Sequence, residues 1–322
     1  MDLIYTDANG ADVGVLFGFA LDLAFGIEEN DFELKLSIDS KEIETGGYIY
    51  IEGTEYGGIV DGLRVDTNKR LATYLGRTFH GILDSHAIQP PAGADYLTVS
   101  GEANAVIASI LSKLGVGGLF EVATTNSGIN IPSYQMDRYI MAYAGINKML
   151  KSVGAKLAMS FEGGKVKLEA KSIVDYSRDE QYTSDHYAFN IQKYRNKVNH
   201  LICLGSGELA ARQVLHLYVQ GDGSISTKKQ YYTGVDEYAA VYDYSNAESL
   251  AELQQYGMEE LQKLHNNDSA EMELVEEEAG MDINDIVGTT EEVTGTKITN
   301  SVVKKIVKIE DDALKIEYKV GD

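Results

Sequence analysis

The chain has 322 residues, a formal net charge of −22, 44% hydrophobic residues and one cysteine, Cys203. Such a length suits about two domains. The acidic excess argues against a grip on nucleic acid, which relies on Lys and Arg neutralising phosphates, and one cysteine excludes an intrachain disulfide framework and fits a reducing cytoplasm.

The apolar fraction is ample for sizeable cores. No apolar run reaches the roughly 18 residues of a membrane-spanning helix. The start, Met1-Asp-Leu-Ile-Tyr-Thr-Asp7, lacks the basic region and apolar core of a signal or transit peptide. Thirty-two glycines, three prolines and 21 tyrosines point to a hydrogen-bonded β protein with tight turns. No Pro- or Ser-rich linker separates its parts, so they are expected to pack closely.

Phe32, Leu34, Leu36 and Ile38 alternate with Glu33, Lys35, Ser37 and Asp39, as in a strand with one wet face. Tyr48 to Ile51 and Tyr56 to Val65 continue the β pattern. Asp66-Thr-Asn-Lys69 is a turn into Leu71 to Leu75. Residues 1–77 read as a run of antiparallel strands, most simply a barrel or sandwich.

The pattern changes at Thr78, where a short helix to Ser85 is predicted. Pro90 and Pro91 then fix two φ angles and remove two donors, and Gly93 closes the turn. Tyr96 to Val99 favour a strand. Ser100 is the expected N-cap of the next helix, with Glu102 in its first turn. Ala103, Val106, Ile107, Ile110, Leu111 and Leu114 form one apolar stripe, and Gly115 stops it. A second helix is predicted over 139–153, with Ile146, Met149, Leu150 and Val153 on one face and Gly154 as its stop. Leu157, Met159 and Phe161 should face Val166, Leu168 and Ala170 across a Gly163-Gly164 hairpin.

Strands return at Asn190 to Tyr194, Val198 to Leu204 and Gln213 to Val219. A long helix at about 246–264 interrupts them. Ser245 and Glu248 fit a capping box, and Leu250, Leu253, Leu261 and Leu264 fit a stripe. Leu314, Ile316, Tyr318 and Val320 alternate with Lys315, Glu317 and Lys319, and Asp311-Asp312 is the expected turn back from Lys304 to Ile309. No short-period repeat is present.

The chemistry-bearing patterns are weak. Gly205-Ser-Gly207-Glu-Leu-Ala210 follows an apolar strand and matches a relaxed dinucleotide fingerprint. The room for a helix is too short, and no train of βα units follows, so a glycine turn between antiparallel strands is the better reading. His200 and Cys203 resemble a base and thiol nucleophile, yet three apart on a strand they point to opposite faces. His80, His86, His186, His200, His216 and His265 form no zinc-ligand spacing. Glu276-Glu-Glu278 and Asp311-Asp312 lack the glycine and final glutamate of a calcium loop. No catalytic, cofactor-binding or metal residue is therefore assigned.

Five segments carry a resemblance in order along the chain. They are Gly76-Arg-Thr-Phe-His-Gly-Ile-Leu83, Ile88-Gln-Pro-Pro-Ala-Gly93, Asp95-Tyr-Leu-Thr-Val-Ser-Gly-Glu-Ala-Asn104, Asn199-His-Leu-Ile-Cys-Leu-Gly-Ser-Gly-Glu208 with His216-Leu-Tyr218, and Asp285-Ile-Val-Gly288 with Thr294-Gly295. Together they resemble a tail-hub family of tailed bacteriophages, found mainly in siphophages and prophages of Gram-positive bacteria. That family is similar to the trimeric baseplate hub of the T-even phages.

The resemblance implies an α+β, predominantly β fold with two tail-tube-like antiparallel β-barrels and an α+β insertion. The expected divisions are 1–77, 78–180 and 181–322. It implies a homotrimeric ring that joins the hexameric tail tube to a threefold tip and surrounds the DNA channel. The implied partners are a distal tail or tube protein and a tip, spike or receptor-binding protein. DNA would pass without specific binding, and no membrane insertion is expected. The implied place is the virion tail tip, assembled in the host bacterial cytoplasm. Relatives with added peptidase or cell-wall hydrolase domains exist, and no such extension is expected here.

The acidic excess then has a physical role: carboxylates lining the channel would repel DNA phosphates. Two other classes of function remain open. A tail-tip adhesin could stack glycan on Tyr231-Tyr232 or Tyr242-Asp-Tyr244. A cell-wall hydrolase would need an acid–base or metal constellation that the sequence does not display.

Overall fold

A computed structural model describes residues 1–27, 29–40, 43–177, 181–183, 188–192, 197–247, 249–265, 269–274, 280–291, 293–310 and 313–321. Expectations placed on Glu248, Glu276 to Glu278 and Asp311-Asp312 lie outside these residues, as do His186 and Tyr194. The fold is the expected α+β, predominantly β class. The chain divides into two compact units, Met1–Phe189 with Glu271–Val320, and Asn190–Ala270 with Gly321–Asp322.

The first unit opens with seven strands: β1 (Leu3–Thr6), β2 (Asp12–Leu16), β3 (Ala20–Gly26), β4 (Asp31–Ser37), β5 (Tyr48–Tyr50), β6 (Gly57–Asp66) and β7 (Leu71–Thr78). The alternation in β4 works as its sequence requires. Phe32, Leu34 and Leu36 are buried, and Asp31, Lys35 and Ser37 are exposed. Leu34 lies opposite Leu21 of β3 and Tyr74 of β7, so three strands contribute to one apolar layer. Each fully buried aliphatic chain in that layer contributes about 1.5–3 kcal/mol.

A helix follows directly, α1 (Phe79–Asp84), with Thr78 accepting from the Gly81 amide as its N-cap. Gly81 must be glycine here, because a Cβ would sit 2.1 Å from the Asn30 carbonyl oxygen. Next come β8 (Thr98–Glu102) and α2 (Ala103–Leu114). Two details differ from the sequence reading. The strand is 98–102 rather than 96–99, because β8 pairs with β10 (Asn130–Gln135) as far as Glu102 opposite Asn130. The backbone thus stays extended past Ser100, and Glu102 is the N-cap, its carboxylate accepting from the Ala105 amide at 2.8 Å. The stripe and the Gly115 stop, at φ 72°, are as expected.

β9 (Phe120–Val122) precedes β10, and α3 (Ala142–Lys151) follows it. This helix starts three residues later than expected. Tyr139 has φ 60° and Met141 is extended, so neither continues a helix backward. Ile146, Met149 and Leu150 are buried, and Gly154 has φ 70°. β11 (Ala155–Glu162) and β12 (Lys165–Ser172) form the expected hairpin. Phe161 faces Val166, Met159 faces Leu168 and Leu157 faces Ala170. The α2 and α3 stripes share one core with this hairpin.

Two short strands, β13 (Gln181–Thr183) and β14 (Ala188–Gln192), lead to the second unit. It contains β15 (His200–Leu204), β16 (Val214–Val219), β17 (Ile225–Ser226), β18 (Ala239–Asp243) and α4 (Leu250–His265). The sheet order is β17-β16-β15-β18, with β18 parallel to β15. α4 begins at Leu250 rather than about 246, because Ser249 caps it and accepts from the Glu252 amide at 3.1 Å. Leu253 and Leu261 bury against Leu201, Cys203 and Leu217, whereas Leu250 is exposed.

The chain closes with β19 (Ser269–Leu274), β20 (Ile286–Glu291), β21 (Thr296–Glu310) and β22 (Ala313–Gly321). β21 pairs antiparallel with β3, so the end of the chain extends the first sheet. Within this unit the order is β2-β1-β5-β6-β7-β4-β3-β21-β22. β2 has β1 as its one strand neighbour among the described residues, so this path is open rather than a closed barrel.

Candidate functional site

Three of the segments that carry the resemblance hold buried polar joints of the fold. His80, from Gly76 to Leu83, is 2% exposed and stacks on Phe25 with ring centroids 4.4 Å apart. Its Nε2 lies 3.4 Å from Glu55. Glu55 is also paired with Lys305 of β21, whose ammonium lies over the rings of Phe25, Tyr56 and Tyr318. Burial by itself would raise the Glu55 carboxyl, but Lys305 and His80 outweigh it and hold the group below the usual carboxylate range.

Asp285, which opens another of the matched segments, is fully buried. Its carboxylate accepts from Lys156 of β11 at 2.7 Å, and from the amides of Val174 and Asp282. Asp282 also reaches Lys156 at 2.7 Å. Desolvation works against the Lys156 ammonium, yet the two aspartates hold it above its ordinary value. An ammonium and carboxylate so held are an ion pair rather than a nucleophile and its target.

In the second unit, Asn199 donates to the Asp236 carbonyl and accepts from the Tyr238 amide. The neighbouring His200 contacts Glu237 and His216, each at 2.8 Å. Spacing along the sequence gave no sign of this constellation, since 37 and 16 residues separate the partners. The pairing of β15 with β16 and β18 brings them together.

The tempting motifs resolve into structure. Gly205 donates to the Gln213 carbonyl, and Gln213 donates back to Ser206, closing β15 onto β16 as the glycine turn expected. Gly207 has φ 97°, and a Cβ there would sit 2.6 Å from the Ala211 carbonyl oxygen. Only a three-residue 3-10 turn, Leu209–Ala211, follows, which offers no helix N-terminus for a pyrophosphate. Cys203 is buried under Gly257 of α4, and burial pushes its thiol up to about 11. Such a thiol is a poor nucleophile. No group of three or more metal-ligating side chains occurs among the described residues.

Surface charge on the first sheet is mixed. On the face away from Leu21 and Leu34, Lys308 lies opposite Asp22, Asp22 opposite Glu33, and Lys35 opposite Ala20 and Thr73. Burial raises the Asp22 and Asp31 carboxyls. Of the tyrosines singled out above, Tyr231 is 59% exposed and meets Tyr232 edge-on, whereas Tyr242 and Tyr244 stack on each other beside Tyr256. Tyr244 packs against the α4 core.

Neither a family model nor a curated protein matches the sequence. Three solved structures are similar over nearly the full length of both chains. The 43 kDa tail protein of prophage MuSo2 from Shewanella oneidensis has a TM-score of 0.61 at 13% identity, covering 99% of this chain and 98% of that one. A tail protein from Neisseria meningitidis MC58 has a TM-score of 0.58 at 12% identity, covering 100% and 96%. Prophage tail protein gp18 from Listeria monocytogenes EGD-e has a TM-score of 0.55 at 13% identity, covering 99% and 94%. At these identities the likeness is one of fold, and the fold of this chain is that of prophage tail proteins.

Proposed function

We propose that this chain is a structural protein of a phage or prophage tail, placed at the tail tip as its hub. The observation that carries the reading is mutual coverage: the match to three tail proteins, two of them from prophages, spans almost all of this chain and almost all of each of theirs. A shared module within a different protein would not give that result. The buried pairs Lys305–Glu55 and Lys156–Asp285 support the same reading, because each joins segments far apart in the sequence.

Three copies form a ring around the DNA channel, joining the hexameric tube to the threefold tip. A distal tail or tube protein sits on one side and a tip, spike or receptor-binding protein on the other. Residues 1–77 and 181–322 supply the two tube-like regions, and 78–180 the insertion. Contacts in such a ring are heterologous and close on themselves, and a permanent ring needs large ones. The chain acts through assembly, not catalysis, in a particle built in the bacterial cytoplasm.

Sedimentation of the purified chain tests the ring, with a trimer as the expected species. A monomer at the highest soluble concentration contradicts it. Glycan stacking on Tyr231-Tyr232, where Tyr231 is 59% exposed, is the second reading. A glycan array that gives specific binding would favour it over the hub.

A further inference from the structure

Within the second unit α4 packs on one face of the sheet and is that unit's one α-helix among the described residues. On the side of β15 away from Cys203 stand His200, Ile202 and Leu204. Ile202 lies opposite His216 on one side and Val241 on the other, and Val241 is 64% exposed. His216 thus ends an apolar row that faces solvent.

Four titratable groups run in series toward that row. Lys229 Nζ lies 2.6 Å from Glu237 Oε2. Glu237 Oε1 lies 2.8 Å from His200 Nδ1, and His200 Nε2 lies 2.8 Å from His216 Nδ1. The His200 and His216 ring centroids are 5.1 Å apart. Two imidazoles reach that separation when their facing nitrogens lie on the line between the ring centres. This is the geometry of an N–H···N hydrogen bond. A shared metal would need the two lone pairs to converge on a point off that line.

The carboxylate sets the direction of every proton in the series. Glu237 only accepts, so the His200 Nδ1 carries the hydrogen and its Nε2 is an acceptor. His216 must then donate from Nδ1, which leaves its Nε2 as an unprotonated acceptor. We propose that Glu237, His200 and His216 form a one-proton switch that fixes both histidines in the Nδ1–H tautomer and sets the charge at His216 on the open sheet face.

The proton balance is simple. One proton from solvent adds to His216 Nε2, turning an acceptor into a charged donor, and the N–H···N bond survives. A second proton on His200 Nε2 would place two N–H groups head to head and break the pair. The charged groups facing the pair are Glu237, which favours protonation, and Lys229, which opposes it. Tyr218 stacks on the His200 ring at 4.4 Å, and β18 contributes the uncharged Ala239 opposite His200. Only a proton on His216 Nε2 leaves the N–H···N bond and the His200–Glu237 bond intact, so the geometry directs the first proton there.

Long-range proton–nitrogen correlation NMR on the full chain with labelled histidine tests the switch without altering it. At pH 8 both His200 and His216 are expected in the Nδ1–H form. Finding either ring protonated at Nε2 overturns the proposal. On lowering the pH, His216 is expected to gain its proton while His200 stays neutral, and simultaneous protonation of both also overturns it. In Glu237→Gln the tautomer lock is expected to fail, with mixed tautomers at His200. Unchanged tautomers in that variant would assign the lock elsewhere and remove Glu237 from the switch.

Discussion

Lys305 Nζ lies 2.7 Å from Glu55 Oε1, although 250 residues separate them. The ammonium is 5% exposed and the carboxylate 15%. The pair ties the long strand β21 to the loop before β6. Lys305→Met leaves Glu55 without its main counter-charge. The loss expected is about 3–5 kcal/mol, read from urea unfolding. Adding Glu55→Leu should recover most of it, because the cost lies in the stranded charge.

Glu102 gives a pH signature. Burial works to raise its carboxyl, but hydrogen bonds from Ser127 and the Ala105 and Asn104 amides hold it at about 2. A depressed carboxylate stabilises the fold above its unfolded value, near 4.3. That contribution fades as pH falls from there toward 2. Glu102→Ala should cost about 1 kcal/mol at neutral pH, as for a lost N-cap. It should also flatten the stability profile between about pH 4.3 and 2.

Gly257 lies mid-helix in α4, where alanine would ordinarily stabilise by about 1 kcal/mol. Here a Cβ would fall 2.5 Å from Cys203 Sγ and 2.9 Å from Leu217 Cδ1. Gly257→Ala is therefore expected to destabilise by about 1–3 kcal/mol through overpacking. Cys203→Ala removes the nearest clashing atom, so the double variant should be more stable than Gly257→Ala alone. A double-mutant cycle by thermal unfolding measures the coupling.

The His200 imidazole is held down chiefly by burial. A depressed histidine stabilises the fold above its unfolded value of about 6.5, and the benefit is lost as pH falls below that. Stability of the second unit should decline from about pH 6.5 downward. His200→Asn should weaken that dependence, measured by unfolding at a series of pH values.

The parts legible in the sequence are those set by local rules. The β11–β12 register follows from alternation across Gly163-Gly164, and the α2 stripe from helical spacing. Helix starts were harder to read. Ser100 is as good a cap as Glu102 by residue type, and the choice fell to the pairing of β8 with β10, a tertiary fact. Likewise Tyr139 has an ordinary helical sequence context and a left-handed backbone. The polar joints were invisible for the same reason. Lys156 and Asp285 are 129 residues apart, and no spacing rule links them. In the sequence His200 stands three residues from Cys203, whereas its partners in the fold stand on a neighbouring strand and loop.

The proposed placement of this chain at the tail tip is tested most directly by imaging purified particles labelled with an antibody against it. The expected result is label confined to the end of the tail away from the head, with three copies resolved around the central channel on averaging. Label along the shaft or on the head, or particles that lack the chain altogether, would contradict the assignment.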